Sequence, residues 1–366
     1  ENVAARVARE LPGIDLIVYG HSHKQMADTV INGVLMMQPT AWATSVGVAH
    51  PELRYEGTSW RVVRSWSSLV SARGHAESPA VLAVTARVHD ATIAYVSAAI
   101  GRTALRWRGD SARVADTPLI DFVLDVERRA AHTDLASTAA FTLDAALDSG
   151  AITVAEVARL YPYDNTLKAI RISGTQLREY LEFSARYLGQ FGTSEPPVDP
   201  RIPGCNFDIV SGATYTIDLA RPVGSRIPAL AVGGTPVSNA DTFTLALNNY
   251  RQSGGGGYAM LRGAAVVYDG QVELRQLLID AVKRHRDLDP SMVAHHNWSI
   301  IPAAAIGPAY AAMHRPFDAE SAGTRRRVVP SHVRPEPPRI PVTVTPPARD
   351  TMAAKPTLHS GAGAGV

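Results

Sequence analysis

The stretch from Tyr161 to Leu188, YPYDNTLKAIRISGTQLREYLEFSARYL, restricts what this chain can fold into more than any other. Pro162 fixes one backbone angle, and Asp164 and Asn165 have side chains that can bond their own backbone, so the stretch opens as a turn. Apolar and basic residues then alternate from Leu167 to Ile172, as in a strand with one buried face. Gly174 breaks the strand and Thr175 is a suitable N-cap for a helix. On that helix Leu177, Leu181, Ala185 and Leu188 form an apolar stripe flanked by Tyr180 and Phe183. The module is turn, strand, turn, helix, and it presents Tyr163 at its first turn. Periodicity alone is satisfied by a half-buried packing role for that ring.

The chain has 366 residues, enough for two domains with separate cores. No run of eighteen apolar residues occurs, which excludes a helical membrane span. The net charge is +2, divided into +4 from Arg315 onward and −2 before it. A near-neutral body excludes a nucleic-acid-coating surface and leaves a small ligand open. Cys205 is the single cysteine, so there is no internal disulfide; it reads as a small core residue.

Near the start, Val3, Ala4, Val7, Ala8 and Leu11 are spaced as an amphipathic helix. Residues 14–19 read as a buried strand running into Gly20-His21-Ser22-His23. Imidazoles two residues apart at the carboxyl end of a strand face one cleft if the chain turns there. Taken bare, the pair is equally a pair of surface-loop histidines.

Residues 80–100 predict a long helix after a polar connector. A second amphipathic helix is expected over 116–131 and a short strand over 134–139. Thr153 is expected to cap a helix over 154–160. Residues 215–219 and 226–232 predict paired strands, with a hairpin turn at Gly233-Gly234. Residues 243–247 predict a strand that carries Asn248-Asn249-Tyr250-Arg251 to its end. The glycine run 254–257 is a poor P-loop, since no Gly-Lys-Ser/Thr follows. A helix is expected over 274–283. From Ile306 periodicity fades into a Pro- and Arg-rich, disorder-prone tail.

YPYDNTLKAIRISGTQLREYLEFSA resembles the C-terminal domain of the bacterial 5′-nucleotidase family, nearest its 2′,3′-cyclic-nucleotide 2′-phosphodiesterase/3′-nucleotidase branch. LALNNYRQSGGGGY (245–258) and NFDIVSGATYTID (206–218) resemble further blocks of the same domain. PGIDLIVYGHSH resembles the last metal-binding motif of the calcineurin-like metallophosphoesterase domain that precedes it in this family. The resemblance implies an α/β (α+β) chain with four parts. Residues 1–57 would be the C-terminal end of the metallophosphoesterase sandwich, and 58–103 a connector with a linker helix. Residues 104–305 would be the nucleotide-binding C-terminal domain, and 306–366 the disordered tail.

Function follows from the same resemblance. Two aromatic rings clamp the base in this family, and the matching positions are Tyr163 and Tyr250. The glycine turn, with Gly255, shapes the base pocket, and Asn165 either reads a base edge or holds its turn. His21 and His23 are implied ligands of a centre of two divalent metals (Zn, Mn, Co or Fe). The remaining ligands and the catalytic Asn-His pair belong to motifs absent from this sequence, and they are expected upstream of Glu1. The chain as given is therefore expected to bind nucleosides without hydrolysing nucleotides. The implied activity of a complete protein is hydrolysis of 2′,3′-cyclic and 3′-nucleotides, outside the cytoplasm: periplasmic, cell-wall-associated or secreted. A 5′-nucleotidase or nucleotide-sugar hydrolase of the same family, or a non-catalytic nucleotide-binding protein, are the alternatives. The implied partner is a nucleotide or nucleoside, not a nucleic-acid polymer. The loop AAFTLDAALDSG lacks the arginine with which related nucleotidases help hold phosphate.

Overall fold

A computed structural model of the chain describes residues 3–315. Residues 1–2 lie outside the described residues, and so do residues 316–366 of the tail with its expected disorder. Helix α1 (Ala4–Glu10) leads into strands β1 (Leu16–Val18), β2 (Met26–Ile31) and β3 (Val34–Gln38), ordered β1-β3-β2. Every residue of β3 is buried, because it lies between two neighbours. The expected burial of β1 is not found: Leu16 and Val18 are exposed, because β1 is an edge strand paired only with β3.

Strands β4 (Ser45–Tyr55) and β5 (Trp60–Ser71) form a long hairpin, where the sequence predicted a connector from residue 58. Period-two placement of Trp60, Val62, Arg64 and Trp66 was the signal for β5. Ser67 ties the hairpin to β2 through Oγ donating to the Ala27 carbonyl (2.7 Å) and its N–H to Asp28 Oδ1 (3.0 Å). Helix α2 (Pro79–Val96) follows, with none of its residues buried.

The remaining elements, in chain order, are β6 (Ala99–Thr103), β7 (Trp107–Arg108), α3 (Pro118–Ala131), β8 (Leu135–Ala139), β9 (Ala146–Leu147), β10 (Gly150–Thr153), α4 (Val154–Leu160), β11 (Thr166–Ser173), α5 (Gly174–Ala185), β12 (Asp208–Ser211), β13 (Ala213–Asp218), β14 (Leu230–Val232), β15 (Thr235–Pro236), β16 (Thr242–Asn248), α6 (Asn249–Gln252), β17 (Val266–Glu273), α7 (Leu274–His285), β18 (Asp287–Leu288), β19 (Trp298–Ile301) and α8 (Ile306–Met313). A five-stranded sheet ordered β12-β8-β16-β11-β17 carries the main core, with α3, α5 and α7 packed on it. All its pairings are antiparallel except β8 with β16. It is a mixed α/β fold.

The module at 161–188 forms turn, strand and helix in the expected order, with corrections. Helix α5 ends at Ala185, so Leu188 lies beyond it, where it bridges to Val198. Strand β11, an inner strand of its sheet, buries residues on both faces rather than one. The N-cap of α5 is Ser173, not Thr175: Ser173 Oγ accepts from the Gln176 N–H, and Gln176 reaches back to the Ser173 N–H. Gly174 belongs to the helix, since a Cβ there would lie 1.9 Å from the Ser238 carbonyl oxygen. Thr153 caps α4 as expected, in a capping box with Glu156. α8 occupies residues where periodicity was expected to fade. Its Ala309 is buried, and Tyr310 donates to Asp110 at 3.2 Å, so tertiary contact supplies what the pattern lacks.

Candidate functional site

Strands β11 and β16 are antiparallel with Leu167 opposite Asn248. Tyr163 lies four residues before the first of these and Tyr250 two residues after the second, so both rings arise at one end of the sheet. Asn249 Oδ1 accepts from the Thr166 N–H (3.3 Å), tying the two turns together. Tyr163 is 47% and Tyr250 54% exposed. Burial pushes the Tyr163 hydroxyl above the ordinary tyrosine value, with Cys205 and Tyr250 adding to the rise from close by. Cys205 is therefore half-buried beside Tyr163 rather than a core residue.

Each ring has a rigid backing. Tyr163 meets Phe141 edge-on (5.0 Å between centroids), and Phe141 meets the buried Tyr161 in the same way (4.9 Å). Arg275, at the start of α7, holds the turn by donating to the carbonyls of Tyr161 (3.1 Å) and Pro162 (3.0 Å) and to Asp164 Oδ1 (2.7 Å). The Asn165 carbonyl accepts from the Leu274 N–H (2.9 Å), and its side chain approaches the Tyr161 hydroxyl. Behind Tyr250 lies the glycine turn: a Cβ on Gly255 would sit 2.6 Å from Tyr250 Cζ. Only a glycine lets the backbone lie this flat on the ring.

The residue that organises this end is Arg251, which belongs to the Asn-Asn-Tyr-Arg motif but has no role assigned by it. It is 3% exposed and forms a two-pronged pair with buried Asp208, Nε to Oδ2 and Nη2 to Oδ1, both 2.7 Å. It also donates to the carbonyls of Gly255 (2.6 Å) and Cys205 (3.1 Å) and lies 4.0 Å over the Tyr258 ring. Burial lowers its pKa, but Asp208, Tyr180 and Tyr258 outweigh that and raise it. Tyr180 adds a hydrogen bond to Asp208. Asn248 caps α6, its Oδ1 accepting from the Arg251 N–H (2.7 Å). One guanidinium thus fixes the glycine turn, the 204–208 segment and the base of Tyr250 together. Arg113 reaches the arginine-less loop from before α3, but its guanidinium is taken up by the carbonyls of Ala140 and Phe141.

His21 and His23 both have left-handed backbone (φ 72° and 57°), and both line one shallow cavity of about 290 Å³ with Tyr19, Gln38 and Trp42. Such a conformation is uncommon for a non-glycine residue and marks a built turn. Among the described residues no third His, Cys, Asp or Glu joins them in a metal-sized group. Two imidazoles fill half of a tetrahedral site, so the pair fits a metal only as part of a larger ligand set.

Residues 94–263 match the family 5′-nucleotidase, C-terminal domain. The chain is 28% identical to the trifunctional nucleotide phosphoesterase protein YfkN of Bacillus subtilis, over 83% of this chain and 24% of that protein. It is 26% identical to the 2′,3′-cyclic-nucleotide 2′-phosphodiesterase/3′-nucleotidase of Salmonella typhimurium, over 80% of this chain and 54% of that one. It thus spans a quarter of the first relative and about half of the second. A crystal structure described as a 5′-nucleotidase from Staphylococcus aureus, in complex with alpha-ketoglutarate, superposes with a TM-score of 0.63. That match is at 28% identity and covers 78% of this chain and 56% of that one.

Proposed function

We propose, from the match of residues 94–263 to the 5′-nucleotidase C-terminal domain family, that this chain binds the base of a nucleotide between Tyr163 and Tyr250, as the substrate-holding part of a nucleotide phosphoesterase. The observation that carries this is the pair of half-exposed tyrosines at one end of the sheet, each rigidly backed from behind. Two stacks at roughly 1–3 kcal/mol each hold a base of any identity. Exposed amphipathic rings cost little entropy to order, which suits such a clamp.

The substrates are 2′,3′-cyclic and 3′-nucleotides. The Salmonella relative's name supports this, as does a loop at 141–150 that carries no arginine of its own, with Arg113 bonded to the carbonyls of Ala140 and Phe141 and Arg106 to Asp148. Phosphoester cleavage belongs to a two-metal centre to which His21 and His23 would contribute ligands. Such metals would supply a hydroxide at neutral pH and offset phosphoryl charge. The name of a further relative, a snake venom 5′-nucleotidase from Naja atra, supports work outside the cytoplasm. Among the described residues no helix is long and apolar enough to cross a membrane.

Calorimetry of adenosine, 2′,3′-cAMP, 3′-AMP and 5′-AMP with the chain tests the reading. Tyr163→Ala and Tyr250→Ala should each weaken adenosine binding roughly 10- to 100-fold. Unchanged affinity in both variants would overturn the clamp, and a clear preference for 5′-AMP would overturn the choice of substrate.

A further inference from the structure

Between the tyrosine-bearing turns, one layer deeper, lies a carboxyl group with no cation beside it. Glu127 on α3 is 0% exposed. Neither of its oxygens completes a hydrogen bond of normal geometry, and the same holds for the buried hydroxyls of Thr138 and Tyr161. These groups nevertheless sit close together: Thr138 on β8 lies alongside the carboxyl, Asp208 on β12 acts on it, and Glu127 in turn acts on Tyr161. Among the described residues Glu127 has no ion pair, while Asp208, whose charge acts on it, is paired with Arg251.

The Tyr161 hydroxyl sits where both arms of the clamp meet. Asn165, from the Tyr163 turn, and Asn248, which caps the helix bearing Tyr250, both approach it with their side chains. Tyr161 also supports Phe141, and through it the Tyr163 ring.

We infer that Glu127 is a positioning residue for the base clamp, coupling the two tyrosine-bearing turns through the Tyr161 hydroxyl. The inference rests on the clamp reading above. The physical reason is that an isolated buried carboxylate is far more costly than a carboxylic acid. Burial, and secondly the charge of Asp208, push the Glu127 pKa well above the ordinary glutamate value, which favours the neutral carboxylic acid. In that state it offers one O–H donor and one acceptor to a site holding two further hydroxyls. Losing the proton places a second anion near Asp208, the partner of Arg251, and an anion against the Tyr161 oxygen. Both turns are then disturbed together, since Arg251 holds one and Tyr161 the other.

Glu127→Gln, which keeps shape and neutrality, separates this role from mere packing. Infrared spectroscopy should show a protonated-carboxyl band at pH 7 in the wild type that is missing in Glu127→Gln. Adenosine affinity should then fall about tenfold per pH unit above the pH at which that band disappears, while Glu127→Gln stays flat. Amide hydrogen exchange at 161–166 and 248–258 gives a readout free of ligand. It should accelerate at both turns across the same pH in the wild type, beyond the intrinsic base-catalysed rise, and only to that intrinsic extent in Glu127→Gln. Absence of the band at pH 7, or exchange at the turns unaffected by its loss, overturns the inference. Exchange that responds while adenosine fails to bind at any pH overturns the clamp and leaves the coupling standing.

Discussion

Gly255→Ala tests whether the glycine turn is there to seat Tyr250. The new methyl would lie 2.5 Å from the Tyr250 carbonyl oxygen, 2.6 Å from Cζ and 2.7 Å from Cδ1. Contacts between such atoms are comfortable at about 3.5–4 Å, so the ring, the carbonyl or both must move by about 1 Å. Gly255 has no left-handed φ, so the backbone itself accepts alanine and the penalty comes from contact alone. If the displaced ring loses its stack on the base, the loss is roughly 1–3 kcal/mol. That corresponds to a roughly 5- to 150-fold weaker Kd for adenosine, read by calorimetry. The same substitution in a Tyr250→Ala background should cost much less, because the ring it displaces is gone. Adenosine affinity equal to wild type in Gly255→Ala would refute the reasoning, as would a full and additive loss in the double variant.

Arg251→Met leaves Asp208 as an unpaired buried charge, so it should destabilise the domain by about 3–5 kcal/mol. At about 2–4 °C per kcal/mol, Tm should fall by roughly 6–20 °C in thermal unfolding, and a fall under about 2 °C would contradict the role assigned to the pair. In a protein that supplies the rest of the ligand set, His21→Ala and His23→Ala should each lower Mn²⁺ or Co²⁺ affinity at least about tenfold in equilibrium dialysis, and unchanged binding in the double variant removes them as ligands. Asp121, 1% exposed, is raised to about 7, chiefly by burial and further by Asp116 and Asp125, against the His295 N–H it accepts. The folded state therefore holds this proton more tightly than the unfolded chain. Its contribution to stability is complete below the ordinary carboxylate range near about 4 and is lost as pH rises to about 7. Urea midpoints should fall across that window in the wild type and less so in Asp121→Asn; parallel curves would refute the assignment.

The local elements were legible because each is decided by near neighbours in sequence. The strand over 167–172, the helix stripe from Leu177 to Ala185 and the Thr153 cap formed where the pattern placed them, although β11, an inner strand of its sheet, is buried on both faces. Departures came where tertiary contact decided. β1 has an apolar run but only one neighbour, and α8 has weak periodicity but a docking site. The α5 cap fell to Ser173, whose side chain and N–H form a capping box with Gln176, and Gly174 follows it in the helix, where a Cβ would meet the Ser238 carbonyl, 64 residues away in sequence.

The candidate site divides along the same line. Its aromatic residues stood out in the sequence because YPYDN and NNYRQSGGGGY are short, local and resemble known blocks. Nothing in the sequence showed that buried Arg251 would pair with Asp208 or that Arg113 would reach the carbonyls of the loop after β8. Nor did it show that Glu127, one charged residue on an amphipathic helix, would face inward without a partner. Turn and periodicity signals act over a few residues and survive in one dimension. Burial of a charge is set by which strands become neighbours, here the antiparallel register of β11 and β16 and the placing of β8 between β12 and β16. Local sequence settled the pieces and the rings they carry. Packing settled which polar groups lose their water beneath those rings, because desolvation depends on what lies above them and not on what precedes them in the chain.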